Sequence, residues 1–232
     1  AGFASIPKKM SLKGVEHVAD AVMHIRGQLS TISAVAAEQL AASVGYSALA
    51  ISQAVALCKQ NPGEPFSTTL ATLHTSSGIS RLVRHPSQSA PEYEHKRAIY
   101  SVYLVLLDKL NRKMPGITPV LNKLAFLAPE EISSDLFNAA CLSASLEPGI
   151  VMGLFYDYGL IERSESSASI SIHPMFQECI KLQVEQDEIL ALLADMIRFL
   201  SVNTVYQRRD VVHVRQAMQH LEVIEENIAV YD

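Results

Sequence analysis

Imidazole is the side chain that changes charge near neutral pH, so the histidines are the first place to look for chemistry. His173 stands between Ile170-Ser171-Ile172 and Pro174-Met175-Phe176-Gln177, where a strand-like run gives way to a helix-like one. At a helix N-terminus a ring N–H and the free first-turn amides together favour an anion. The plainer role for such a residue is a half-exposed cap joining strand to helix. His213 and His220 are two helical turns apart and could share a face. Metal sites usually take i, i+4 spacing or further ligands close by. Here the neighbours are Arg215 and Gln216, and the pair reads as solvated helix histidines with no metal.

Other routes to catalysis find little support. The sequence has no G-x-S-x-G elbow, and Cys58 lies in an apolar run where a thiol is inert packing. Glu130-Glu131 and Glu225-Glu226 are adjacent, so their carboxylates diverge and read as solvated surface. No G-x-x-x-x-G-K-[ST] loop occurs, which removes both the glycine-rich phosphate cradle and its lysine. The chain is therefore expected to be non-catalytic.

Composition narrows the setting. At 232 residues and 49% apolar, the chain can bury a proper core in one large domain or two small ones. Its net charge of −5 gives no broad reason to expect nucleic acid or an acidic membrane. Cys58, Cys141 and Cys179 are far apart and form no C-x-x-C pair, so a reducing, cytoplasmic setting is expected. Gln39 to Cys58 carries no charge over a length near that of a bilayer crossing. Gln39, Ser43, Ser47, Ser52 and Gln53 interrupt it, and two soluble helices broken at Gly45 are the expectation.

The elements that must position His173 are mostly helical. Val15, Val18, Val22, Ile25 and Leu29 recur at helical steps. A second helix is predicted from about Thr31, with Ala37, Leu40, Ala41 and Val44 inward and Gly45 as its stop. Ser47 is predicted to cap a third, Ala48 to about Lys59, ended by Asn61-Pro62-Gly63. A fourth is expected from Ser67, then a loop over His85 to Pro91. A long helix follows from about Glu92 to Lys113, with Tyr100, Tyr103, Leu107 and Leu110 on one stripe. Met114-Pro115-Gly116 ends it and marks a domain boundary.

The second half changes rhythm. Thr118-Pro119 predicts a cap and a first-turn proline for a helix carrying Leu121, Leu124 and Ala125 and ending at Pro129. Ser133 or Ser134 opens a short helix through Leu136, Phe137 and Ala140. Pro148 opens another through Val151, Leu154, Phe155 and Tyr158, with Gly159 at its end. Leu160 to Arg163 and Ser169 to Ile172 read as two strands around a serine-rich turn. Three helices, a hairpin and another helix make the order of a winged helix. Beyond Lys181, Asp187 is predicted to cap a helix burying Leu190, Leu193, Ile197 and Leu200, and another covers Val211 to Asn227. The expected class is mainly α, with a helical domain, a winged helix with a small β-hairpin, and the start of a further helical region.

Leu124-Ala125-Phe126-Leu127-Ala128-Pro129-Glu130-Glu131-Ile132 resembles the winged-helix start of NB-ARC proteins, the STAND class of signalling ATPases. Leu160-Ile161-Glu162-Arg163 followed by Ile170-Ser171-Ile172-His173-Pro174-Met175-Phe176-Gln177 is similar to their hairpin and histidine motif. Leu40-Ala41 to Val44-Gly45-Tyr46-Ser47-Ala48-Leu49-Ala50 stands where the family commonly has Gly-Leu-Pro-Leu-Ala. Arg208-Arg209-Asp210-Val211-Val212-His213 resembles the linker into the helical repeats of tetratricopeptide-bearing members. The likeness covers roughly 11–181.

This resemblance divides the chain into 1–10, a linker or the end of a missing domain; 11–115, the helical domain; 116–183, the winged helix; and 184–232, C-terminal helices. It implies that His173 approaches the β-phosphate of ADP bound by a nucleotide-binding domain of an intact parent. No cofactor is implied for this chain alone, and ADP or ATP only in that parent. The family proline that lies against adenine is Ser47 here, which weakens the case for a working pocket. The implied partners are that nucleotide-binding domain and other proteins reached through the C-terminal helices, with no membrane. One alternative is a degenerate scaffold acting by protein binding alone. The other is a nucleic-acid-binding winged helix. Against it, the stretch from Pro148 to Tyr158 has no lysine or arginine, carries Asp157 and follows Glu147.

Overall fold

Serine oxygens set several of the helix starts. Ser33 Oγ accepts the Ala36 amide at 3.1 Å and Ser47 Oγ accepts the Ala50 amide at 3.4 Å, each satisfying a first-turn donor that has no partner inside its helix. The computed structural model describes residues 18–62, 68–69, 91–163, 169–205 and 211–231. Among them are ten helices and one three-stranded sheet. The chain divides into two units, Ala1–Leu106 and Leu107–Asp232.

The first unit holds α1 (Val18–Gln28), α2 (Ala34–Ser43), α3 (Ala48–Gln60) and the first part of α4 (Pro91–Lys113). α1 packs on α2 and α3. Gly45 and Tyr46 reverse the chain between α2 and α3 in the left-handed region, at φ +59° and +53°. A Cβ at Gly45 would meet Ala98 Cβ at an ordinary 3.7 Å, so backbone conformation and not space favours glycine there. The apparent span from Gln39 to Cys58 is thus two helices, as expected. Two expectations shift. α2 begins at Ala34 and not Thr31, because Ser33 takes the capping position. α1 turns Ala21 and Ile25 inward and leaves Val18 exposed, which fits contact with the alanine-lined face of α2. Val15, the body of the fourth helix and residues 85–90 lie outside the described residues, whereas Pro91, expected in the loop, is the first residue of α4, where a proline costs no helical hydrogen bond.

α4 carries the predicted buried stripe of Tyr100, Tyr103, Leu107 and Leu110 and ends before Gly116, at φ +90°. In the second unit α5 (Thr118–Ala125) follows. Thr118 does not cap it. Its hydroxyl donates to Asn111 Oδ1 at 2.9 Å, and the flanking Ile117 is buried with no side-chain cap. α5 also stops at Ala125, short of Pro129. The chain then runs through β1 (Ile132–Ser133), α6 (Ser134–Ser143), α7 (Pro148–Asp157), β2 (Ile161–Arg163), β3 (Ser169–Ile172) and α8 (Pro174–Lys181).

The sheet order is β1-β3-β2, antiparallel throughout, with Ile132 opposite Ile170 and Ile161 opposite Ile172. Helix, strand, two helices and a hairpin in this order form a winged helix. The hairpin was legible in the sequence; β1 was not. Two residues offer no alternation to read, and Ser133 doubles as the N-cap of α6, accepting the Leu136 amide at 3.2 Å. Phe137 and Phe155 meet edge to face at 6.1 Å in the core.

α9 (Gln186–Val205) and α10 (Val211–Tyr231) pack along each other. α9 buries Ile189, Leu193, Met196 and Leu200, so Leu190 and Ile197, predicted inward, are exposed. The two stripes are neighbours on one helix, and both satisfy its period. Asp187 lies inside the helix and not at its cap. No single helix among the described residues is long and apolar enough to cross a membrane.

Candidate functional site at the start of α8

β3 delivers His173 to the start of α8 by anchoring Ile170 and Ile172 in the core. His173 is then extended, at φ −66° and ψ 129°, and caps the helix. Its Nδ1 accepts the Met175 amide at 3.1 Å. An acceptor nitrogen carries no proton, so the neutral ring holds its proton on Nε2. Burial pushes the imidazole pKa down, and the Glu162 carboxylate on β2 pulls it partly back. What the half-buried ring offers is therefore one neutral N–H donor, not a cation. Such a donor can meet an anion without proton transfer.

Ser47, the other predicted site residue, is in the first unit and is 7% exposed. Its hydroxyl already serves as the cap of α3. A serine so placed offers no flat apolar surface to a base.

Gln177, one turn beyond His173, is buried and donates through Nε2 to the carbonyls of Leu124 at 2.8 Å and Leu127 at 2.9 Å. His220 on α10 is only 2% exposed, and its Nδ1 accepts the Ala128 amide at 3.1 Å. The reading of His220 as a solvated helix histidine is thus overturned. Burial holds its pKa down to about 4. One short segment, Leu124–Ala128, receives side chains from both α8 and α10. In the sequence Gln177 is only the last letter of the histidine motif, with nothing beside it that announces this role. The available signal was the segment itself, where α5 ends among apolar side chains that cannot satisfy its last carbonyls.

α7 is the helix that would enter a DNA groove. Glu147 caps it, accepting the amides of Gly149 at 3.1 Å and Ile150 at 2.7 Å. Val151 and Phe155 are buried and Leu154 is half-buried. The helix is not sealed on all sides, for Ile150 is 61% exposed. Its exposed residues, Gly149, Ile150, Gly153 and Asp157, include no cation. Burial raises the Cys141 thiol to about 12 and the Cys179 thiol well above its usual range, as suits packing and not nucleophilic attack. No group of His, Cys, Asp and Glu among the described residues could hold a metal ion.

No family model, curated protein or solved structure matches this chain.

Proposed function

We propose that the chain is a non-catalytic regulatory and protein-interaction segment of an NB-ARC-like signalling protein, coupling nucleotide state to assembly in an intact parent. The observation that carries this reading is the state of His173. A hairpin leads directly into it, Nδ1 is committed to the Met175 amide, and Nε2–H remains as a neutral donor. That donor, set at the start of a helix, suits a phosphate oxygen. When bound, ADP would supply the anion; the chain's own part is to orient the imidazole, fix its tautomer and keep it uncharged. Ser47 does not fit the adenine-facing role, and that favours a second reading, a scaffold that works by protein contact alone. DNA binding is disfavoured because α7 has no lysine or arginine to release counterions and begins at a carboxylate.

The test is the mass of the complete gene product by light scattering with ADP and with ATP. The regulatory reading expects a small species with ADP and a larger assembly with ATP. Equal masses in both nucleotides oppose it and favour the scaffold. A gel shift of this chain on duplex DNA that weakens steeply with salt would favour the nucleic-acid alternative.

A further inference from the structure

α9 and α10 bury aliphatic side chains, among them Leu193, Met196 and Ile224. Among the described residues, no winged-helix element packs along either helix as closely as they pack along each other. Hydrogen bonds and cation–π contacts tie the pair to the winged helix. Ala128 N–H donates to His220 Nδ1 at 3.1 Å. Lys181 Nζ, at the end of α8, donates to Asn227 Oδ1 at 3.1 Å and sits 5.1 Å from the Phe126 ring centroid. Lys123 Nζ of α5 lies 5.6 Å from the Phe199 ring centroid. Asn227 is two turns beyond His220 on α10, about 10 Å along one face. Its Nδ2 donates to the Val223 carbonyl at 2.6 Å, which leaves Oδ1 turned to Lys181. The winged helix meanwhile has a core of its own, with Phe137 against Phe155 and isoleucines paired across the sheet.

We infer that the α9–α10 pair is a latched element: His220 on Ala128 and Asn227 on Lys181 fasten it to the winged helix, and it opens there as a unit while the winged helix stays folded. Among the described residues the two helices pack most closely on each other, so they move as one body, and hydrogen bonds at their sparser boundary with the winged helix are lost within a small displacement. Opening frees the Ala128 amide and the face of α10 that carries His220 and Asn227. The latch is independent of whether His173 meets a nucleotide.

Hydrogen exchange read by mass spectrometry on the whole chain tests this. His220→Ala is expected to speed exchange in α9 and α10 about tenfold while α6, α7 and the hairpin keep their wild-type rates. His220→Asn, whose Oδ1 can stand in for Nδ1, should restore most of the protection. A uniform rise across the winged helix and the pair would overturn the inference, as would unchanged rates in α9 and α10. If His220→Ala does not fold, Asn227→Ala is read by the same criteria, with a smaller rise expected in α9 and α10 alone.

Discussion

A neutral imidazole at His220 serves the fold and a protonated one does not, because Nδ1 must accept the Ala128 amide. Its pKa falls from the ordinary 6.5 to about 4 on folding. Between those values the unfolded chain holds a proton that the folded chain refuses. The contribution is therefore complete above pH 6.5 and is lost as pH falls toward 4, by roughly 3 kcal/mol in all. Urea midpoints across this window should fall for the wild type, and His220→Asn should remove that part of the slope. A slope unchanged in the variant would show that another group carries it. Gln177 makes a similar demand with no charge involved. Gln177→Leu leaves the Leu124 and Leu127 carbonyls unpaired in the core and should cost about 1–3 kcal/mol in urea denaturation. Neither role could be read from the sequence. His220 meets a backbone group 92 residues away, and a histidine in a charged helix gives no sign of which neighbour it will find.

Elements were legible where a local bond fixes them. Ser47, Ser133 and Pro148 mark true helix starts, because cap and first-turn chemistry involve residues only a few positions apart. Thr118 failed by the same logic, since its hydroxyl found Asn111 in the preceding helix instead. The inward faces of α1 and α9 were displaced because both helices offer two adjacent apolar stripes, and only the neighbour chooses between them. The cap of α7 gives a prediction at this scale. Glu147→Ala removes the acceptor for two amides and should cost about 1–2 kcal/mol, measured by thermal or urea unfolding. A loss well below that would mean water serves those amides as well as the carboxylate does. Phe155→Ala should cost about 3–5 kcal/mol by the same measurement, because the ring is fully buried against Phe137.

For the whole chain, the class of fold followed from periodicity and punctuation, while the small sheet needed its long-range partner to be seen. The candidate site was half legible: His173 was found at the right junction, but its tautomer depends on a bond to Met175 that no pattern announces. We propose that this imidazole reports on nucleotide. The most direct measurement is the ADP retained by the purified complete gene product, wild type beside His173→Ala. The account predicts ADP held by the wild type and released during purification of the variant, with both proteins folded. Equal retention, or no ADP in either, contradicts it.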